Sequence, residues 1–325
     1  MTSPAALRPS RLLWTVVLAA TALACTPAFD PEARLTKLRV LAVRAEPVNP
    51  NVGEITTLDT LVYVPPDAAG DPVTYSWSWC PELGDPSDGY RCPETDQEIQ
   101  EMGAELGVTD IPPLSLGTDA TATFRNPFPP AVLADLCNRG FELGASRCDQ
   151  GFPIRIAVTV AQGNVRLPAT TVLTLPVADG ATTNLNPAFA AGGPAVTALM
   201  NGVDVPIDDQ ASVMLPRVIE TKLHANVADS EAETFEGLDD DGQPALLRER
   251  LTLSWYVETG DVEPDSFHTG YFPGTTDLDK LLSNGWKPGE RADYPRDDAQ
   301  IILVLRDSRG GVGWTSGRVG LEPTP

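Results

Sequence analysis

The amino-acid sequence predicts an all-β chain with two β-sandwich domains in tandem, and three observations lead to this prediction. Short segments in which apolar and polar side chains alternate recur along the chain, as expected for strands with one buried face. The same series of segments occurs twice. The chain also contains 31 prolines and 27 glycines, which favour strands and turns over long helices.

The first series predicts a domain at 36–180. Strands are expected at Lys37–Val43, Leu58–Val64, Val73–Trp79, 154–160 and 165–177. Trp77 is expected to mark the core, because it shares one face of the third strand with other apolar side chains. Pro168 and Pro176 place the last strand at a sheet edge, because proline has no N–H to donate to a neighbouring strand.

The second series repeats the first in the same order. Strands of a second domain, 195–325, are expected at Val196–Met200, 223–227, Leu251–Val257, Ile301–Leu305 and 312–319. Trp255 takes the position that Trp77 has in the first series, and it is the second core marker. The alternation slips between Trp314 and Val319, which predicts a β-bulge at Gly317.

The order of the strands and the x-Ser-Trp central strand resemble the immunoglobulin-like or PKD-like modules of bacterial surface proteins. The resemblance covers about 36–180 and 190–325. It implies two-sheet sandwiches whose loops carry recognition. The Cys–Trp–Cys pattern of true immunoglobulin domains is absent, and a sheet closed on itself is the alternative architecture.

Three further segments complete the predicted organisation. Residues 81–150 and 261–299 are interpreted as insertions, and 181–194, rich in Ala, Gly, Asn and Thr, as the linker between the domains. Short helices are expected in the insertions at Glu98–Leu106, Ala131–Leu136 and Asp277–Leu282.

The N-terminus has the pattern of an export signal at 1–24. Arg8 and Arg11 precede Leu12–Ala24, an apolar run of 13 residues. Because a membrane-spanning helix needs about 20 apolar residues, the run is too short to remain as an anchor.

The residues Ala22-Leu23-Ala24-Cys25 resemble the lipobox of bacterial lipoproteins, and depart from it at Ala22, where leucine is usual. The resemblance implies that Cys25 is acylated, that 25–35 is a lipidated tether, and that Thr26 directs the protein to the outer membrane. The alternative is cleavage at an ordinary A-x-A site, which leaves Cys25 free or joined to another chain.

The five cysteines support lipidation. If Cys25 carries the lipid, an even number remains for two disulfides in an oxidising compartment. The simplest of the three connectivities is Cys80–Cys92 with Cys137–Cys148. A structural role is favoured over a metal or redox site, because the sequence contains no C-x-x-C.

The charge of the chain excludes nucleic acid as a partner. Once Arg8 and Arg11 leave with the signal, the mature chain has 45 acidic against 21 basic residues, a formal net charge of −24. Such a surface repels phosphate backbones.

The most acidic segment is a candidate site. It contains Asp229, Glu231, Glu233, Glu236, Asp239, Asp240 and Asp241. An EF-hand register would place Gly237 first and Arg248 twelfth, and neither side chain offers an oxygen ligand. We therefore predict a solvated loop, with Asp239 and Asp241 as weak calcium candidates.

Two arrangements of charge follow from the sandwich prediction. Arg306 and Arg309, in the turn of the closing hairpin, are expected to face the acidic loop, because in a sandwich this turn and this loop lie at the same end of the domain. The acids that follow the Trp255 strand are expected at the opposite end and outside that site. They are Glu258, Asp261, Glu263 and Asp265.

No catalytic motif is present. The only histidines, His224 and His268, lack the context of a catalytic triad. The sequence therefore predicts a non-catalytic, lipid-anchored envelope protein without a cofactor, which contacts the membrane through Cys25 and binds an envelope protein or a glycan through its loops.

The first alternative is a calcium- or carbohydrate-dependent adhesion module, and the second, less favoured, is a carboxylate-based hydrolase. A glycan would bind aromatic faces in 261–299. The aromatic residues there are Phe267, Tyr271, Phe272, Trp286 and Tyr294.

Overall fold

The fold is all-β, as predicted, and the described strands form two lobes, which we name the first and second lobes. Each lobe is built on two large sheets, and the second lobe also carries a separate two-stranded sheet. The structure is a computed structural model. It describes residues 32–81, 90–138, 148, 151–178, 183–189, 193–239, 241, 243–263, 268–271 and 282–323.

The described part of the first lobe contains seven strands and two α-helices. The strands are β1 (Arg39–Glu46), β2 (Ile55–Tyr63), β3 (Val73–Cys80), β4 (Ser115–Gly117), β5 (Ala122–Arg125), β6 (Phe152–Gln162) and β7 (Val165–Leu175). The sheets have the orders β1-β2-β5 and β4-β3-β6-β7. Trp77 is fully buried in the core of this lobe, and β7, which contains Pro168, lies at a sheet edge as predicted.

The interpretation of 81–150 as an insertion is wrong in one respect. The segment supplies β4 and β5 to the two sheets, beside the helices α1 (Asp96–Glu105) and α2 (Pro130–Asn138). Strands of three and four residues are too short to show alternation, which is why the sequence did not reveal them. Both helices occur where they were expected.

The second lobe contains the remaining strands. They are β8 (Val196–Met200), β9 (Val203–Pro206), β10 (Met214–Leu215), β11 (Thr221–Ala225), β12 (Thr234–Leu238), β13 (Pro244–Arg248), β14 (Leu251–Val257), β15 (Asp261–Val262), β16 (His268–Tyr271), β17 (Ser283–Lys287), β18 (Asp298–Arg306) and β19 (Val312–Leu321). Its five-stranded sheets have the orders β10-β19-β18-β14-β16 and β15-β17-β11-β8-β9. Trp255, on β14, is fully buried between them.

The interpretation of 261–299 as an insertion is also wrong. The segment supplies β15, β16 and β17 to the sheets, and β17 lies between β15 and β11. Ser283 and Asn284 on β17 are buried beside the fully buried Trp286. A strand with polar residues on its buried positions has no alternation to detect. The helix expected at Asp277–Leu282 lies almost wholly outside the described residues.

The predicted bulge at Gly317 is not formed, because β18 and β19 pair without interruption from Asp298–Gly320 to Arg306–Val312. A side chain at position 317 would point at Ile207, in the second lobe. Trp314 faces the other way, where the guanidinium of Arg44 lies 4.1 Å from its ring. The slip in the apolar alternation between Trp314 and Val319 therefore marks the contact of Trp314 with the first lobe.

A bulge occurs instead in β1, where the register shifts between Val40 and Ala42. The extra residue, Leu41, packs with the second-lobe core, and Arg306 donates to its carbonyl oxygen at 2.6 Å. One strand thus contributes side chains to both cores.

The described parts of the predicted tether and linker are packed against the lobes. Leu35, inside the predicted tether 25–35, is 1% exposed and bonds Val257 at the end of β14. In the predicted linker, Asn186 donates to Ala45 O on β1 and accepts from Val312 N on β19. Residues 33–325 accordingly form one compact unit.

Candidate functional site: a braced hairpin arm

The prediction that the acidic segment is a solvated loop is wrong, because its residues 234–238 form the strand β12. This strand pairs with β13 in a separate two-stranded sheet, which we name the arm. Its strands pair with each other from Thr234–Arg248 to Leu238–Pro244 and join neither large sheet. Because side chains alternate along a strand, the arm has two faces. The inner face carries Phe235 and Leu247, and Phe235 is buried.

The outer face of the arm is exposed to solvent. Leu246 is 73% exposed, the largest value among the exposed large apolar residues of the described chain, and Leu238 is 39% exposed. Glu236 lies directly opposite Leu246 in the register and is also exposed. Sequence analysis missed Leu246. The signal for it was the pair Leu246-Leu247, which must place one leucine on each face of a strand.

The base of the arm is held by a buried ion-pair network. Arg309, in the turn between β18 and β19, donates from Nε to Glu249 Oε1 at 2.6 Å and from Nη2 to Glu233 Oε2 at 2.9 Å. Its guanidinium also lies 4.6 Å from the ring of Phe235. Glu249 is 0% exposed, and Arg309 is largely buried. The predicted approach of Arg309 to the acidic segment is confirmed.

Burial shifts the pKa values of the carboxyl groups at the base of the arm. Loss of solvent raises the pKa of Glu249, with a further contribution from the charge of Asp307, and the bonds from Arg309 oppose this shift. Burial likewise raises the pKa of Asp307. Asp307 Oδ1 accepts from the backbone N–H groups of Arg309 and Gly311, which fixes the turn that presents Arg309.

Two more contacts brace the arm. Arg248 pairs with Asp229 at 2.6 Å and donates to the carbonyl oxygen of Ala232. On the linker side, the N–H of Leu185 donates to Glu233 and that of Ala188 to Glu231. The arm base is therefore connected to the segment that joins the lobes.

Arg306 does not face the acidic segment, and that prediction is wrong. Its guanidinium bonds Ser254 Oγ and Leu41 O, because the bulge in β1 leaves the Leu41 carbonyl outside the strand ladder. It lines a cavity of about 320 Å³ between β1, β7 and the turn of the β18–β19 hairpin.

The tip of the arm uses Asp239 for its own turn. Asp239 Oδ1 accepts from the N–H groups of Asp241 and Gln243, as in an Asx turn. Asp240 and Gly242 lie outside the described residues. The calcium role of Asp239 and Asp241 stays a prediction, to be tested by the melting temperature with and without millimolar calcium.

The described acids after β14, namely Glu258, Asp261 and Glu263, lie at its other end, as expected, and Asp265 lies outside the described residues. The surrounding protein holds Glu258 in place. Its carboxylate is buried and accepts from the hydroxyls of Tyr63 and Tyr294 and from the N–H of Gln300. Burial, and then the charge of Glu258, raises the pKa of both tyrosines. Because Tyr63 belongs to the first lobe, this cluster is a second link between the lobes.

The aromatic residues of 261–299 do not form the expected glycan platform as far as they are described. Trp286 is fully buried, and its Nε1 donates to Thr259 O. Tyr294 is partly buried on Glu258. The side chains of Phe267, Tyr271 and Phe272 lie outside the described residues.

The histidines and cysteines are placed as follows. His224 Nδ1 lies 3.1 Å from Ser283 Oγ on the neighbouring strand, while the side chain of His268 lies outside the described residues. Two disulfides have the connectivity favoured by the sequence: Cys80–Cys92 and Cys137–Cys148. Such bonds are typical of exported proteins.

Within the described chain, three metal-ligating side chains converge only at Cys80, Cys92 and Glu94, and the disulfide occupies both sulfurs. Cys25 and the predicted signal 1–24 lie outside the described residues. None of the helices in the described ranges has the length and apolarity needed to span a membrane.

Comparisons with known proteins give no family. No protein-family model matches the sequence, and a search of curated proteins finds no match. Murine CEACAM1b is similar in structure at 9% identity and a TM-score of 0.20, covering 88% of this chain and 100% of its own. The three N-terminal domains of the bacteriophage RB49 outer capsid protein Hoc are 12% identical, with a TM-score of 0.20, covering 89% of this chain and 71% of theirs.

Human protocadherin-24 EC1-2 is 8% identical, with a TM-score of 0.18, covering 88% of this chain and 100% of its own. At these TM-scores the similarities support no inference, and the description of the fold rests on the strand pairing alone.

Proposed function

We propose that the chain is a lipid-anchored protein of the bacterial envelope, held in the outer membrane through Cys25, that binds an envelope partner through the arm and catalyses no reaction. The arm carries this proposal. Its outer face presents Leu246 to solvent, while its base is fixed by the buried pair of Arg309 and Glu249. Recognition elements on sandwich scaffolds have this character, with an exposed tip on a rigid support.

The contacts that connect the two lobes support the same proposal. The carboxylate of Glu258 and the segment 183–189 connect the lobes, so that the arm is mounted on one body. A preorganised element loses less conformational entropy when it binds than a mobile loop does.

Lipidation is tested by metabolic labelling with radioactive palmitate in the native host. We expect label on the wild-type chain and none on Cys25→Ala. Cys80→Ser/Cys92→Ser is the matched control, and it should remain labelled. Labelled Cys25→Ala protein would overturn the anchor.

Binding is tested by photocrosslinking in the native envelope, with benzoylphenylalanine at Thr234 on the outer face of the arm. The control places the same residue at Val203, which is 62% exposed on β9. We expect a reproducible adduct from Thr234 and none of that mass from Val203. The same adduct from both positions would show that binding does not depend on the arm.

A further inference from the structure

The outer face of the arm joins the exposed Leu246 to the exposed Glu236, and the acids Asp239 and Asp241 lie beyond them at the tip. The nearby bases are paired: Arg309 is largely buried between Glu233 and Glu249, and Arg248, on the outer face opposite Thr234, is paired with the exposed Asp229. Among the residues that the structure describes, no ion pair involves Glu236, Asp239 or Asp241. The outer face thus has an apolar centre, a negative margin toward the tip, and the Arg248–Asp229 ion pair at its base end.

From this combination we infer that the outer face docks onto a protein surface that has an apolar depression for Leu246 and a basic margin for Glu236 and Asp241. The inference rests on the proposed function and names the chemistry of the partner. Charges of opposite sign around an apolar centre give an interface its specificity and its association rate.

Three other occupants fit the face less well. A second copy of the chain would bring together like charges, because each mature copy has 45 acidic against 21 basic residues, a formal net charge of −24. An anionic lipid surface would be repelled for the same reason. A glycan would need an aromatic ring to stack on, and Phe235, the one aromatic residue of β12 and β13, is buried on the inner face.

The test uses the full-length lipidated chain in its native envelope, with benzoylphenylalanine at Pro244, so that Leu246 and Glu236 stay unchanged. The arm variants are Leu246→Ser and Glu236→Lys/Asp241→Lys. The matched controls are Val203→Ser, for an exposed apolar residue elsewhere, and Asp67→Lys/Glu105→Lys, for two exposed acids elsewhere. Melting temperatures equal to that of the parent chain show that each variant is folded, and Leu246→Met keeps the apolar contact.

We expect both arm variants to lower the yield of one protein adduct by about tenfold or more, because contacts at the centre of an interface dominate affinity. The controls and Leu246→Met should stay within about twofold of the parent, as usual for substitutions outside an interface. Mass spectrometry should place the crosslink on a partner peptide that carries Lys or Arg beside apolar residues.

Other results distinguish a failure of the inferred partner chemistry from a failure of binding through the arm. A protein adduct whose yield survives the charge reversal would overturn the basic partner and leave binding through the arm intact. An adduct to a second copy of the chain, to lipid or to glycan would also overturn the inference. No adduct from either Pro244 or Thr234 would overturn the proposed function itself.

Discussion

Arg309 is the residue on which the arm depends. It neutralises Glu249, which is 0% exposed, and binds Glu233 at the foot of β12. A buried charge that loses its partner is costly, even where the intact pair adds little to stability.

Replacing Arg309 by methionine should therefore lower the free energy of unfolding by about 3–5 kcal/mol, the usual cost of an unpaired buried charge. Arg309→Met/Glu249→Gln should recover a large part of that loss, because no buried charge is left without a partner. Urea unfolding measures both. A loss below about 1 kcal/mol in the single variant would show that the pair is not buried as described.

The carboxyl groups of Glu249 and Asp307, at the base of the arm, make the free energy of unfolding depend on pH in a defined direction. The folded protein holds protons on Glu249 and Asp307 more tightly than the unfolded chain does, because burial raises both pKa values. Their stabilising contribution is complete below the ordinary carboxyl pKa of about 4 and is lost as the pH rises through the raised values.

We predict that the difference in unfolding free energy between the wild type and Glu249→Gln/Asp307→Asn becomes more favourable to the wild type as the pH falls from 7 toward 4. Urea unfolding at a series of pH values gives this difference and cancels the other carboxylates. A difference that moves the opposite way with pH would contradict the assigned direction of the shifts.

Among the elements, two turns of the second lobe depend on glycine to different degrees. Gly260, after β14, has φ +72°, and a methyl group there would collide with the backbone of Lys287 and Pro288. Gly202, between β8 and β9, has φ +78° and nothing within 4 Å of the added methyl group.

Gly202→Ala should cost about 1 kcal/mol, from backbone strain alone. Gly260→Ala should cost about 3 kcal/mol or more, because steric overlap adds to the same strain. Thermal unfolding of the two variants compares them directly. Equal costs would mean that β17 does not pack against this turn.

The elements also show what could be predicted from the sequence. Long strands with alternating burial, such as β3 and β6, were predicted because their pattern is local. Strands β4 and β15 are too short to show that pattern, and β17 hides it with buried polar residues.

For the site, the contact of Arg309 with the acidic segment could be predicted from the sequence. The topology of a sandwich places the acidic segment and the turn that carries Arg309 at the same end of the domain. Sequence reasoning missed Glu249, which stands between Arg248 and Arg250 and reads as an exposed residue. It also missed the contacts between the lobes. Leu41 and Trp314 break the pattern of their strands because each faces the other lobe. Only the packed structure reveals a partner for such residues.

On the scale of the whole molecule, residues 33–325 are one body built from two sandwiches. Leu41 of the first lobe and Leu35, which precedes that lobe, pack in the core of the second, and Tyr63 of the first lobe bonds the buried Glu258. The segment 183–189 is bonded to both lobes rather than free between them. The arm therefore has a fixed orientation on a body that comprises residues 33–325.

The most direct test of this claim is equilibrium unfolding in urea, followed by ¹⁹F NMR of the chain labelled with 5-fluorotryptophan. Trp77 and Trp79 report on the first lobe, and Trp255 and Trp286 on the second, because all four are buried. The account predicts that the folded signals of all four disappear with one common midpoint. Separate midpoints for the two pairs would contradict it, because they would show that the lobes unfold as independent domains.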